Sequence, residues 1–275
     1  IPALAAAKNS PPVFMLPGGP GDSYVEAFTA KGKRWIELSG LRRAILRFRA
    51  AGEILLIDQR GNSSTGERLR FSYHPLDLPL DRPATPRIEF AADIRTARAA
   101  LHQFRGKDLA GYTLEECAAD VDALRQALGY RRINLFGLSF GSQWSFAIMR
   151  LFPAIVERAL LSGVEPLDAS IDRPTDVIAA FRRIAEVAER DPAFGVHLPR
   201  GGIFGAIDAV YRRLDRAPLT VLAATSEGTS IPIVLGTGDL QKYIKQDTAS
   251  WPARMLALYR GDFRHWAQSA MAERR

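Results

Sequence analysis

The chain has 275 residues, 47% of them hydrophobic and 24% charged. That usage excludes a disordered or fibrous protein and allows one large domain, or a core with a smaller insertion. The net charge of +7 comes from arginines spread along helical stretches (Arg42, Arg43, Arg47, Arg49; Arg182, Arg183; Arg212, Arg213). They form no single basic block interleaved with aromatics, so solvated helix faces account for them and no nucleic-acid partner is expected.

In chain order, Val13-Phe14-Met15-Leu16 is a short apolar run closed by Pro17-Gly18-Gly19-Pro20-Gly21. Such a pattern predicts a buried strand and a tight loop. A helix is predicted near 41–50, then a second buried strand over 53–57 that ends at Asp58-Gln59-Arg60-Gly61. Residues 62–88 are proline-rich and aperiodic and read as a surface loop. Helices follow at about 89–105 and 114–128. The second opens with Thr113 and Glu116 at capping-box spacing and closes on Gly129. A third buried strand, 132–136, leads into Gly137-Leu138-Ser139-Phe140-Gly141 and a helix from 142 to about 151; a fourth strand covers 159–163.

Continuous apolar strands alternating with helices imply a mostly parallel sheet covered on both faces. After Pro166 the pattern becomes helical (173–190, 203–215, 237–248 and 252–272), with a hairpin over 219–235 around Glu227-Gly228. A domain boundary is therefore placed near 167, giving a core over 1–167 and a helical lid over 168–275. No stretch approaches the ~20 apolar residues of a membrane-spanning helix. The lone Cys117 excludes an internal disulfide and reads as a buried structural thiol. Neither a metal-ligand cluster nor a phosphate-binding lysine loop is found, so no metal or other cofactor is expected.

The G-x-S-x-G at 137–141 carries the chemistry. A serine nucleophile must stand on a sharp strand-to-helix turn, exposed and clear of the backbone, and the flanking glycines permit that turn. Acyl transfer also builds negative charge on a carbonyl oxygen, which backbone N–H groups stabilise. The expected donors are Phe140, just after the serine, and Gly19 in the first loop, since Pro20 has no N–H.

Together L-P-G-G-P-G, D-Q-R-G and G-L-S-F-G, in this order, resemble the proline iminopeptidase and tripeptidyl aminopeptidase family of serine peptidases, which have the α/β-hydrolase fold. The resemblance runs from about residue 13 to 166. It departs at Pro17, where that family usually has histidine. It implies an α/β-hydrolase core with a mainly helical lid, and cleavage of a peptide, amide or ester bond near a free amino terminus through an acyl-enzyme on Ser139. By the same analogy Asp58 and Arg60 brace the loops around the site; the residues themselves read more simply as a structural ion pair fixing a turn. Glu165, just past the fourth strand, stands at the carboxyl edge where ligands bind in such sheets. It is either a receiver for a substrate's amino group or a loop carboxylate facing water.

The fold's order of serine, then acid, then histidine is not completed. His197 and His265 follow Ser139 but neither follows a buried strand; His74 and His102 precede it. The expectation is a chain truncated at both ends, with the last sheet strands and their Asp and His beyond Arg275, and negligible hydrolase activity on its own. An esterase or acyltransferase on the same scaffold remains open. So does a non-catalytic binding protein, should the chain naturally stop at Arg275. Compartment, whether cytoplasmic or exported, and oligomeric state are left open by the sequence.

Overall fold

The computed structural model describes residues 1–63, 66–71, 78–167, 173–225, 228–245 and 247–274. In chain order the elements are β1 (Val13–Leu16), α1 (Glu26–Thr29), α2 (Gly32–Glu37), α3 (Ser39–Arg47), β2 (Ile54–Leu56), α4 (Pro86–Gln103), α5 (Leu114–Ala127), β3 (Ile133–Leu138), α6 (Phe140–Leu151) and β4 (Val156–Ser162). Then come α7 (Pro174–Glu189), α8 (Pro192–Gly195), α9 (Gly202–Arg216), β5 (Leu219–Ala224), β6 (Ser230–Leu235), α10 (Thr237–Ile244), α11 (Trp251–Tyr259) and α12 (Arg264–Arg274). They fall into two compact units, one of Ile1–Arg70 with Gly106–Ile171, the other of Phe71–Arg105 with Asp172–Arg275. The segment 71–105, which the sequence assigns to the first domain, thus groups with the second unit.

The first unit is a four-stranded parallel sheet in the order β2-β1-β3-β4. All four residues of β1 are buried, and its two faces feed different cores. Phe14 and Leu16 pack with Cys117, Val121, Trp144 and Ile148 of α5 and α6, whereas Val13 and Met15 pack with Tyr24, Ala27 and Ile45 of the α1–α3 side. Helices on both faces leave β1 no solvated side, which is why it reads as a continuous apolar run and not as an alternating one, whereas the edge strand β4 is largely exposed, with Leu160 among its exposed residues. The expected fold class, a parallel sheet flanked by helices, is the one observed.

The capping signals hold. Thr113 Oγ1 accepts the Glu116 N–H at 3.3 Å, and Gly129 takes φ +75° where α5 stops. The proline-rich stretch gives way to helix earlier than expected, at Pro86, because Thr85 caps the Ile88 N–H and proline suits the first helical position.

The second unit is built from α4, α7–α12 and the antiparallel hairpin of β5 and β6. The hairpin falls where the sequence places it, although Glu227 at its tip lies outside the described residues. The helical stretch 252–272 is two helices, parted at Gly261 with φ +87°. Phe181, Ile233, Leu235, Trp251, Met255 and Trp266 form its core. Inside lies a buried ion pair: Arg274 donates to Asp239 Oδ1 at 2.5 Å and to the carbonyls of Pro79, Arg82 and Val234. Asp239 Oδ2 in turn accepts the Gly236 N–H at 2.9 Å. Both charges are thereby hydrogen-bonded as well as paired, the condition under which buried charge is tolerated. No described helix is long and apolar enough to cross a membrane.

Candidate active site

Ser139 sits between the end of β3 and the start of α6 with φ +52° and ψ −119°. A non-glycine residue held there is strained by roughly 1–3 kcal/mol, and surrounding structure must hold it in place. The glycines of the motif show how. A Cβ on Gly141 would lie 2.1 Å from the Leu16 carbonyl oxygen, and one on Gly137 would lie 2.3 Å from the Gly141 carbonyl oxygen. Both contacts are with backbone, which cannot swing aside. Without side chains at 137 and 141, α6 comes close to the end of β1 and the chain reverses sharply enough to lift Ser139 out. The serine N–H is itself anchored by the Ser162 carbonyl at 2.8 Å.

The first glycine loop lies against this turn. A Cβ on Gly18 would sit 3.4 Å from the Ser139 Cβ, so the loop's backbone runs beside the serine. Gly19 has φ +111°, and a Cβ there would lie 2.5 Å from the Gly21 nitrogen, so glycine alone fits. Phe140 is the first residue of α6, where a backbone N–H has no intrahelical acceptor and the helix end carries partial positive charge. The glycine loop and the start of α6 therefore both lie beside Ser139.

Asp58 and Arg60 hold the neighbouring loops through separate partners. Ser23 Oγ donates to Asp58 Oδ1 at 2.6 Å and accepts the Glu26 N–H at 3.0 Å, tying the first loop to the end of β2. Arg60 forks onto Asp120 at 2.5 and 2.7 Å, adds Glu116 at 3.0 Å and donates to the Gly111 carbonyl. That bidentate pairing raises the guanidinium pKa, and it fixes the turn against α5. The described ion pairs of Arg60 are with Glu116 and Asp120 of α5, and the expected pair of Asp58 with Arg60 is not among them. Burial pushes the Cys117 thiol up to about 11, which suits a structural residue and not a reactive one.

Glu165 comes closest to the serine. Ser139 Oγ donates to Glu165 Oε1 at 2.8 Å, so the carboxylate faces the serine and not only water. The Glu165 N–H donates to Ser142 Oγ at 2.9 Å, and Ser142 Oγ donates to the Ser139 carbonyl at 2.6 Å, which closes a ring. Gln143 holds the Pro166 carbonyl at 2.7 Å beside it. Ser142, fully buried, escaped the sequence reading. The available signal was its place three residues after Ser139, in the first turn of a helix that the serine opens.

The three described histidines all belong to the second unit. His102 lies in α4, His197 follows α8, and His265 lies in α12 with its Nδ1 2.8 Å from the Tyr243 hydroxyl. His74 is outside the described residues.

Comparison with known proteins agrees with the fold. The alpha/beta hydrolase fold family matches residues 11–258, and the chain belongs to that family. Among solved structures it is similar to a proline iminopeptidase-related protein from Thermus thermophilus, at 18% identity and a TM-score of 0.34, over 94% of this chain and 66% of that one. It is also similar to a thermophilic esterase from Thermogutta terrifontis (16%, 0.34, 98% and 65%) and to the epoxide hydrolase CorEH (15%, 0.36, 96% and 71%). The chain spans about two thirds of the length of these structures. A search of curated proteins returned no match.

Proposed function

We propose that this protein is a serine hydrolase in which Ser139 attacks an acyl carbon and carries the acyl group as an ester. The observation that supports it best is the conformation of Ser139, a strained turn kept in place by Gly137 and Gly141 and flanked by the Gly18-Gly19 loop. Strain of this kind at a single serine, beside backbone donors, has a use in acyl transfer and none in packing. The backbone N–H groups of Gly19 and Phe140 would receive the oxyanion. A core of about 1–167, less the 71–105 segment that groups with the second unit, and a helical lid over 168–275 are the proposed organisation.

For substrate, we propose an aminopeptidase-type preference: an acyl group bearing a free α-amine, as the L-P-G-G-P-G and D-Q-R-G motifs suggest. Acylation is the step to test, because the first unit has no histidine in its sequence. An aminoacyl p-nitrophenyl ester should acylate the chain faster than the matching ester without an amine, and Ser139→Ala should abolish both. Faster acylation by the amine-free ester would move the assignment to an esterase, and acylation unchanged in Ser139→Ala would refute the nucleophile.

A further inference from the structure

We propose that Ser142 is a positioning residue for acyl transfer: its buried hydroxyl sets the peptide plane that carries the Phe140 N–H and so aims that donor at the developing oxyanion. This rests on the reading of Ser139 as nucleophile and of Phe140 as a donor. The Ser139 carbonyl accepts twice from Ser142, from its N–H at 2.7 Å and from its Oγ at 2.6 Å. That carbonyl and the Phe140 N–H belong to one peptide group, which is planar and trans, so they point in opposite directions. Holding the carbonyl toward the first turn of α6 therefore holds the N–H away from it, out of the helix end.

The direction of the Ser142 hydroxyl is itself fixed. A hydroxyl has one proton to donate, whereas a backbone N–H can only donate. The Glu165 N–H points at Ser142 Oγ from 2.9 Å, so the hydroxyl accepts there and its proton is left for the Ser139 carbonyl. The register puts Glu165 in place: Leu138 pairs with Ser162, β3 and β4 end side by side, and Gly163 at φ +61° turns the chain back. Gln143 donates to the Pro166 carbonyl at 2.7 Å and ties the same loop to α6. Ser142 is fully buried, so solvent does not compete for these bonds.

The torsion that swings this peptide plane is ψ of Ser139, and at −119° it lies outside the ordinary helix and strand wells. A hydroxyl that grips the carbonyl resists its relaxation. Without the grip the Phe140 N–H is still present but tilts, and a donor serves an oxyanion only when it is aimed. An uncharged substrate carbonyl asks little of that donor, whereas the charge formed during attack asks much. Loss of the hydroxyl should therefore slow acylation and leave substrate affinity alone.

The test is acylation of the 275-residue chain by an aminoacyl p-nitrophenyl ester and by its thiono counterpart, in which C=S replaces C=O. It is read by intact mass, with imidazole added equally to every sample as a base. Sulfur accepts hydrogen bonds weakly, so an aimed N–H matters less to the thiono anion. With the oxygen ester Ser142→Ala should acylate about 10-fold more slowly at an unchanged half-saturating concentration, a fraction of the loss for removing a donor outright. With the thionoester the loss should be much smaller. Ser145→Ala removes a buried hydroxyl-to-carbonyl bond of the same kind one turn along α6 and should keep the parent rate with both esters. Ser142→Cys, close in shape but a weak donor, should fall between alanine and the parent, and it carries the same test should the alanine variant not fold. The parent rate in folded Ser142→Ala or Ser142→Cys overturns the proposal. So does equal slowing with both esters, and so does a change confined to the half-saturating concentration. In each of those cases an adduct absent from Ser139→Ala preserves Ser139 as nucleophile. A parent chain that takes no acyl group at residue 139 removes that reading, and the proposal with it.

Discussion

Replacing Ser139 by glycine should leave the fold more stable than replacing it by alanine. Both variants lose the Oγ donor and its bond to Glu165, so that contribution cancels between them. What differs is the backbone. At φ +52° and ψ −119° alanine keeps the strain of a side-chain-bearing residue, roughly 1–3 kcal/mol, and glycine does not. Against this, glycine loses about 0.5–1 kcal/mol more conformational entropy on folding. The difference is a net gain of about 1 kcal/mol for Ser139→Gly. Paired thermal melts followed by circular dichroism should place its midpoint about 3 °C above that of Ser139→Ala. A glycine variant no more stable than the alanine variant would show that the elbow stores no strain and would remove the physical argument for a functional serine.

Three further outcomes follow from the same geometry. Gly141→Ala drives a methyl group into the Leu16 carbonyl and should destabilise the first unit by about 3 kcal/mol in urea unfolding; an unchanged midpoint would mean that α6 can shift freely. Asp239→Ala strands the buried Arg274 guanidinium on carbonyls alone and should cost about 3–5 kcal/mol, read as a lower unfolding midpoint; a loss below about 1 kcal/mol would show that water reaches the site. The Cys117 thiol keeps its proton to about pH 11 in the folded chain against 9.0 in the free side chain. Between those values the folded state binds more protons, so stability falls as pH rises through that window. Tyr24, also pushed up to about 12 by burial, adds a slope of the same sign at higher pH. Cys117→Ala should flatten the lower part of the urea-midpoint profile, and a parallel profile would contradict the shift.

Much of the sheet was legible because its inner strands β1 and β3 are mostly buried. Val13–Leu16 and Ile54–Leu56 announce themselves as unbroken apolar runs, and Ile133–Leu138 as one broken only at Asn134, each leading to a glycine-bearing turn. The elbow was legible for the same reason, since a glycine pair around Ser139 between strand and helix is a local steric requirement. Contacts set by register were not. Glu165 reads as a loop carboxylate until β3 and β4 are aligned, and only then does its side chain reach the serine hydroxyl. Arg60 carries its charge in a recognisable motif, but its partners Asp120 and Glu116 lie on α5, about 60 residues away. The grouping of 71–105 with the later helices is likewise nonlocal: α4 commits its Glu89 to Lys242 of α10, a pairing invisible along the chain. The short α1 and α2 went unread because Gly32, at φ +59°, interrupts any helical period between them.

The central claim is the acyl group on Ser139, and trapping it is the direct measurement. The chain would be mixed with an aminoacyl p-nitrophenyl ester, quenched in acid within seconds, and digested, and the peptide bearing residue 139 weighed and fragmented. The account predicts one added acyl mass located on Ser139 and its absence from Ser139→Ala. Acylation confined to lysines, or the same adduct in the alanine variant, would contradict it.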